Sequence, residues 1–380
     1  MTLTTQDWLH LNLGIAPGRQ TPQAALAIGK PPSTSEDFRR EIIDFDSEST
    51  EGVAFFAFAA GANGLSKFQD IPWPKGKAPV AAPRVPGRGS GPLPTADILL
   101  VTWTADEGHA LSRVLTPGFD SRDDWKPYTH HFSSISKRMR KGCPALQAGR
   151  LGTYWLTKIA GKKVLCFKSD SHLSQDGPLM PNFDVWKQII TEVQPSLVIT
   201  TGTGGGIGKQ WEVGDVIVSP IVRFDCTSKF KNQSFAHASF RSNYSVRQTN
   251  FKAATTLFRA NASQLPNTNT RKIPRIAVSG GLATSIVTTD FFGFDNVEDS
   301  YHLQGLGDLS EMGDAVLGSV AQGMGSKAPK YVAVRNVSDP QINEPNVPLR
   351  QQGSDATKIY KGFGRWSSVC SAIVCWALIA

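Results

Sequence analysis

The stretch VITTGTGGGIGKQWEVGDVIVSPIVRFD, residues 198–225, decides how the rest of the chain is read. An apolar, β-branched run ending at Thr201 leads into Gly202-Thr203-Gly204-Gly205-Gly206-Ile207-Gly208, and a turn around Trp211–Asp215 leads into a second apolar run. Strand-type runs on both sides of a glycine cluster suit a sheet rather than a helix pair. Spacing excludes two familiar nucleotide cradles. A Walker A loop needs glycine five residues before the Gly208-Lys209 pair, where Thr203 stands, and serine or threonine where Gln210 stands. A dinucleotide fingerprint opening at Gly202-x-Gly204 needs glycine at Ile207. Both also need a helix to follow, whereas Val213–Phe224 reads as a strand. The glycines are therefore expected to form a loop that lets a ligand approach the backbone closely. Open α/β sheets hold their ligands at such strand ends.

Working outward, Asp97–Trp103 (DILLVTW) is a short strand-type run followed by a helical pattern through Leu115. Thr104 and Glu107 have the T-x-x-E spacing of a capping box, which sets the helix start. Further strands are expected at Gly152–Ile159, Lys163–Lys168, Ser196–Thr201, Val213–Phe224, Arg275–Val278 and Tyr331–Asn336. Helices are expected at Asp184–Glu192, Phe251–Ala260, Leu309–Gln322 and Thr357–Ala380. The alternation predicts an α/β class: a single domain over 95–380 with a central mixed β-sheet flanked by helices. Ile71–Pro94 holds seven prolines and four glycines among basic residues and reads as a linker or an extended wrapping segment. Residues 1–70 read as a small N-terminal extension of no assignable role, with an apolar run at Val53–Ala60.

Across 380 residues, 40% hydrophobic and 19% charged is the balance of a soluble globular protein. The net charge of +8 suits phosphorylated substrates, nucleic acid or an anionic surface without choosing among them. Its densest run, Lys137–Lys141, reads as a solvated face, and no interleaved aromatic and basic strip points to nucleic acid. The five cysteines are scattered without CxxC spacing, so neither a metal site nor a disulfide framework is expected, and the expected location is cytoplasmic. Met1–Leu13 lacks the pattern of a signal peptide. Val369–Ala380 is apolar but shorter than the ~20 residues of a membrane span, so it reads as a buried helix with no membrane partner.

The segment 198–225 resembles the purine-nucleoside phosphorylase superfamily, in particular nucleosidases acting on methylthioadenosine and S-adenosylhomocysteine. In that family a strand ends in Thr-Gly-Ser/Thr-x-Gly-Gly, and Val-Gly-Asp-Ile/Val-Val introduces the next. Three further regions follow in the family's order. Ile98–Leu111 (ILLVTWTADEGHAL) resembles the first strand and acidic helix start. Thr288–Phe292 resembles the base-pocket segment. Ser310–Ala315 and Arg335–Asp339 resemble the ribose segment and the strand bearing the catalytic aspartate. The resemblance covers about residues 97–340. It implies cleavage of a purine N-glycosidic bond without a cofactor, a small-molecule nucleoside or nucleotide as substrate, and a homo-oligomer. It places Asp339 as the general acid and Glu107 as the water-activating base, a division of labour that the reaction requires. Asp339 also follows an apolar run, where burial would raise its pKa. Thr203, Gly204, Phe292, Glu311, Met312, Asp314 and Arg335 are the implied substrate-binding residues, with Phe292 against the purine and Met312 on the ribose.

Two departures from the family pattern bear on function. The ribose motif Glu-Met-Glu becomes Glu311-Met312-Gly313, with Asp314 one position on, about 100° around a helix. Thr200–Gly202 and Thr102–Ala105 lack the arginines with which phosphorolytic members hold phosphate, so water is the expected acceptor. The basic residues Lys168, His172 and Arg223 are candidates for holding a 5′-phosphate or triphosphate. With the chain's length, they resemble phosphorylase-like effector domains of bacterial antiphage immunity, which remove adenine from ATP. Three readings stand open: a nucleotide hydrolase of that type, a methylthioadenosine-type nucleosidase, and a weakened nucleoside sensor.

Overall fold

The computed structural model describes residues 71–84, 89–171, 173, 180–261 and 273–380. The N-terminal extension, with its apolar run, and His172 lie outside the described residues.

Thirteen strands join one mixed sheet: β1 Val80–Ala81, β2 Ile98–Thr102, β3 Lys126–Tyr128, β4 Gly152–Ile159, β5 Lys162–Ser169, β6 Leu197–Gly206, β7 Val216–Ser219, β8 Ile221–Asp225, β9 Ser239–Arg241, β10 Ile276–Val278, β11 Ile286–Thr289, β12 Leu309–Glu311 and β13 Lys330–Asp339. Among the described residues, five helices longer than two turns pack on it: α1 Ala105–Leu115, α2 Pro181–Val193, α3 Phe251–Ala260, α4 Asp314–Gly323 and α5 Leu349–Ile379. The fold is thus the α/β domain with a mixed sheet that the sequence predicts. Strands β2, β5, β6 and β13 run parallel at its centre. Along β2, Ile98 and Leu100 enter one apolar core with α1, α3 and α5, while Leu99 and Val101 enter the other with α2 and α4. Burial on both faces explains why the strand is a continuous apolar run rather than an alternating one.

The sheet divides beside β6, and this division creates room for a site. Strand β13 pairs with β6 along nearly its whole length, from Leu197 to Gly205. On the other edge β2 pairs only with Leu197–Thr200, and β12 takes over at Gly205 and Gly206. Between the end of β2 and the start of the β12 contact, β6 has no strand neighbour on that edge. The cleft opens there, at the C-terminal end of β2, where neighbouring strands part.

Three expectations are corrected. The glycine segment is not a loop: β6 remains extended through Gly206, held by β13 on one side and β12 on the other. Its glycines are required because side chains lie directly on the strand. A Cβ at Gly202 would sit 2.4 Å from the Glu107 carboxyl carbon, one at Gly204 would sit 2.1 Å from Leu309, and one at Gly205 would sit 2.9 Å from Asp339 Oδ2. Leu309–Gln322 is not one helix. Leu309–Glu311 is recruited into the sheet by β11 and β6, and the helix starts only at Asp314, tertiary pairing overriding local propensity. Val213–Phe224 is two strands, broken at Pro220, where Ser219 Oγ donates to Ile221 O and accepts from Ile221 N.

The described part of the proline-rich segment lies on the domain. Residues Val80–Ala81 pair with β4, Trp73 packs on Trp376 of α5 at 4.7 Å between ring centroids, and Trp376 Nε1 donates to Lys77 O. The final apolar run is the buried end of α5. Among the described residues, no helix is long and apolar enough to cross a membrane.

Candidate active site

The cleft beside β6 is lined by residues from six places in the chain. Trp103, Thr104 and Glu107 come from the β2–α1 junction, Thr203–Gly205 from β6, and Thr289, Phe292 and Gly293 from the end of β11. Ser310–Gly313 come from β12, and Arg335, Ser338 and Asp339 from the end of β13. Tyr360 reaches it from α5. Glu107, Asp339, Thr203, Gly204, Phe292, Glu311, Met312 and Arg335, all singled out from sequence, are therefore brought together.

Glu107 sits at the third position of α1, and Thr104 and Glu107 form the expected capping box. The same carboxylate faces the cleft, so the structural and chemical roles coexist. Its Oε2 accepts from Thr102 Oγ1 at 2.8 Å and from the N–H groups of Trp103 and Thr104, both at 2.9 Å. Its Oε1 accepts from Thr203 N at 2.8 Å and Thr203 Oγ1 at 2.7 Å. Burial by itself would raise the pKa. The Arg335 charge and the bonds from Thr104 and Thr203 outweigh it and hold Glu107 below the usual glutamate range.

Asp339 has the opposite environment. It is 2% exposed at the end of β13, and Ser338 Oγ donates to its Oδ1 at 2.7 Å. Burial dominates, and the carboxyl is pushed up to about 7. Asp339 thus keeps its proton up to about pH 7 while Glu107 is held as an anion, the arrangement that separates an acid from an anion. They approach β6 at Gly205 and Gly202, three residues apart along the strand.

Arg335 organises the acidic wall. Its guanidinium donates in a fork to Asp314, Nε to Oδ2 at 2.9 Å and Nη2 to Oδ1 at 2.6 Å. Nη2 also donates to Glu311 Oε2 at 3.1 Å, Nη1 donates to Thr203 O at 3.2 Å, and Glu107 Oε1 lies 3.7 Å from Nη1. Burial would lower the Arg335 pKa, but the surrounding carboxylates raise it. Glu311 further accepts from Gly313 N, Asp314 N and the Thr288 hydroxyl.

The expected ribose-binding role of Asp314 is corrected. It is fully buried, does not line the cleft, and spends its carboxylate on Arg335. The shift of one residue has turned the acidic side chain behind the wall. The two basic residues that the structure describes also stand away from the cleft. Lys168 is buried with Nζ 2.5 Å from Asp170 Oδ1, and Arg223 lies on β8. Of the two adjacent phenylalanines, Phe291 is in the core with Phe294 and Tyr301, and Phe292 lines the cleft. Sequence reasoning missed Trp103, Ser338 and Tyr360. The first two neighbour recognised positions, a usable signal; Tyr360 comes from a distant helix and carried none.

A family model described as "Phosphorylase superfamily" matches residues 129–363. No curated protein sequence matches the chain. Among solved structures, the 5′-methylthioadenosine/S-adenosylhomocysteine nucleosidase from Neisseria meningitidis is similar at 16% identity, over 74% of this chain and 98% of that one, with a TM-score of 0.44. Futalosine hydrolase of Helicobacter pylori is similar at 13% identity, over 74% and 96%, with a TM-score of 0.45. A putative 5′-methylthioadenosine/S-adenosylhomocysteine nucleosidase from Borrelia burgdorferi is similar at 17% identity, over 74% and 98%, with a TM-score of 0.45.

Proposed function

The chain belongs to the phosphorylase superfamily, and within it we propose that this protein hydrolyses the N-glycosidic bond of a purine nucleoside. The observation that carries the reading is the pair of buried carboxyls in one cleft with opposite surroundings, Glu107 accepting from five donors and Asp339 from Ser338 alone, which hold Glu107 low and raise Asp339 to about 7. In the proposed step the C1′–N bond breaks with its electrons leaving on the base, and Asp339 gives the base a proton. Water oxygen bonds to C1′, its proton leaves past Glu107 to solvent, and Asp339 recovers a proton from solvent. A carboxylate with a lowered pKa is a weak base in the ground state. The work of Glu107 is to orient water and to face the positive charge that develops on the sugar. Phe292 offers an aromatic face to the purine.

Water rather than phosphate is the acceptor because the donor nest at the β2–α1 junction is already filled. Three donors there, Thr102 Oγ1 and the N–H groups of Trp103 and Thr104, and two more from Thr203 on β6 point at the Glu107 carboxylate, and a phosphate dianion beside it would meet a fixed negative charge instead of free N–H groups.

The lining also bears on the 5′ group. Among the described lining residues Arg335 is the one cation, and the Asp314 and Glu107 carboxylates beside it already offset its charge. This favours an uncharged 5′ substituent, as in a methylthioadenosine-type nucleoside, over ATP. The test is chromatographic release of free adenine from methylthioadenosine, adenosine, AMP and ATP in turn, with and without phosphate, beside an Asp339→Asn control. Release from the uncharged nucleosides without phosphate, lost in the control, supports the reading. Release from ATP alone replaces it with the nucleotide hydrolase of the antiphage type, and tight binding without release replaces it with a sensor. The accompanying proposal of a homo-oligomer is checked by light scattering of the purified chain.

A further inference from the structure

Trp103 follows directly on β2 and is only 5% exposed. Its backbone N–H is bound to Glu107, but its indole Nε1 is buried and has no hydrogen-bond partner among the described residues, and the residue lines the cleft. The ring is firmly held. The Arg335 guanidinium lies over it at 4.7 Å from the centroid, and Trp186 packs edge-on at 5.9 Å. The backbone of Gly313 closes the remaining side. A Cβ at 313 would lie 2.7 Å from Cε2 and Cζ2 of the indole and 3.1 Å from Nε1. The absence of a side chain at 313 is therefore what admits the Trp103 ring. Buried donors are almost always paired, so one left open on a cleft wall marks the place of a ligand atom.

We infer that Trp103 is a specificity-determining residue whose indole N–H donates to a hydroxyl oxygen on the substrate's sugar, an inference that rests on the hydrolase reading above. Trp103 belongs to the Gly202 end of the cleft with Glu107, the carboxylate that faces C1′, and Asp339 approaches β6 at the Gly205 end. A group beside Glu107 meets the sugar. An indole N–H donates and never accepts, so it selects an oxygen at one position and leaves itself unpaired when that oxygen is missing. Glycine at 313 thus does not signal a lost ribose contact. It is half of an exchange in which a donor on Trp103 recognises the sugar from the space that a side chain at 313 would fill.

The test measures binding in the Asp339→Asn protein, which lacks the proton donor and keeps the nucleoside whole. Calorimetric affinities for adenosine, 2′-deoxyadenosine and 3′-deoxyadenosine are compared with Trp103 intact and with Trp103→Phe. With Trp103 intact, one of the two deoxynucleosides should bind about 10-fold more weakly than adenosine, the scale of an unpaired buried donor. Trp103→Phe should bring that ratio close to one, whatever it does to affinity as a whole. If Trp103→Phe does not fold, Gly313→Ala, which forces the ring aside, carries the same expectation. Equal affinities for all three nucleosides with Trp103 intact, or a ratio that the substitutions leave unchanged, overturn the inference and make Trp103 a packing residue. Base release by the protein with Asp339 intact is followed in parallel. Discrimination without release retires the hydrolase reading and keeps the Trp103 assignment; release with an unchanged ratio does the reverse. Failure of all three nucleosides to bind retires both.

Discussion

Replacing Asp339 with Asn should make the protein inactive and, above neutral pH, more stable. Asp339 is 2% exposed, and its carboxyl is raised from 3.8 to about 7 by burial. A group whose folded pKa lies above its unfolded value contributes stability that is fully present below pH 4 and lost as pH rises towards 7. At about 1.4 kcal/mol per pKa unit, ionising the buried carboxyl costs about 4 kcal/mol at pH 8 and about 2 kcal/mol at pH 5.5. Asparagine carries no such penalty. Urea unfolding of wild type and Asp339→Asn at both pH values isolates this residue, because every other titrating group is common to the two proteins. The stability gap should move by about 2 kcal/mol in favour of the variant between pH 5.5 and 8. A gap that does not change with pH refutes the reasoning: Asp339 would then ionise as readily in the folded protein as in the unfolded chain and would hold no proton to give. The same titration predicts that kcat/KM falls as pH rises through about 7, while Glu107, held ionised, adds no limb on the acid side down to about pH 5.

Glu107→Gln should lower kcat by about 10²–10⁴-fold, read as base release. It also places an amide against donors that have lost their anion, destabilising the fold by about 1–3 kcal/mol in urea. Arg335→Met leaves Glu107, Glu311 and Asp314 without their common counter-charge, and the unfolding midpoint should show a loss of about 3–5 kcal/mol. Gly202→Ala adds a Cβ at φ +143°, 2.4 Å from the Glu107 carboxyl carbon. The carboxylate must shift, and steady-state kinetics should show kcat down about 100-fold with KM little altered.

Much of the sheet was legible because its central strands are buried on both faces and announce themselves as apolar runs, as Ile98–Val101 and Tyr331–Val334 do. The start of α1 was legible because Thr104 and Glu107 are a local device whose partners lie three residues apart. Leu309–Glu311 was misread because its strand character comes from β11 and β6, both distant in sequence. The glycines of β6 were read as letting a ligand approach the backbone, and what lies against them in the structure is Glu107, Leu309 and Asp339. Within the site, residues carried on recognisable motifs were found. The contribution of Tyr360 depends on α5 folding over the cleft, and no local spacing encodes that. The +8 charge does not describe the cleft. Charge is summed over the chain, whereas the cleft is lined by Glu107, Glu311, Asp339 and one neutralised arginine.

The central claim is that water, admitted between Glu107 and Asp339, attacks C1′. Its most direct test is a reaction with adenosine or methylthioadenosine in ¹⁸O-labelled water containing phosphate, with mass analysis of the sugar product. The account predicts free sugar carrying one ¹⁸O, alongside free adenine. Sugar 1-phosphate, or free sugar without the label, would contradict it.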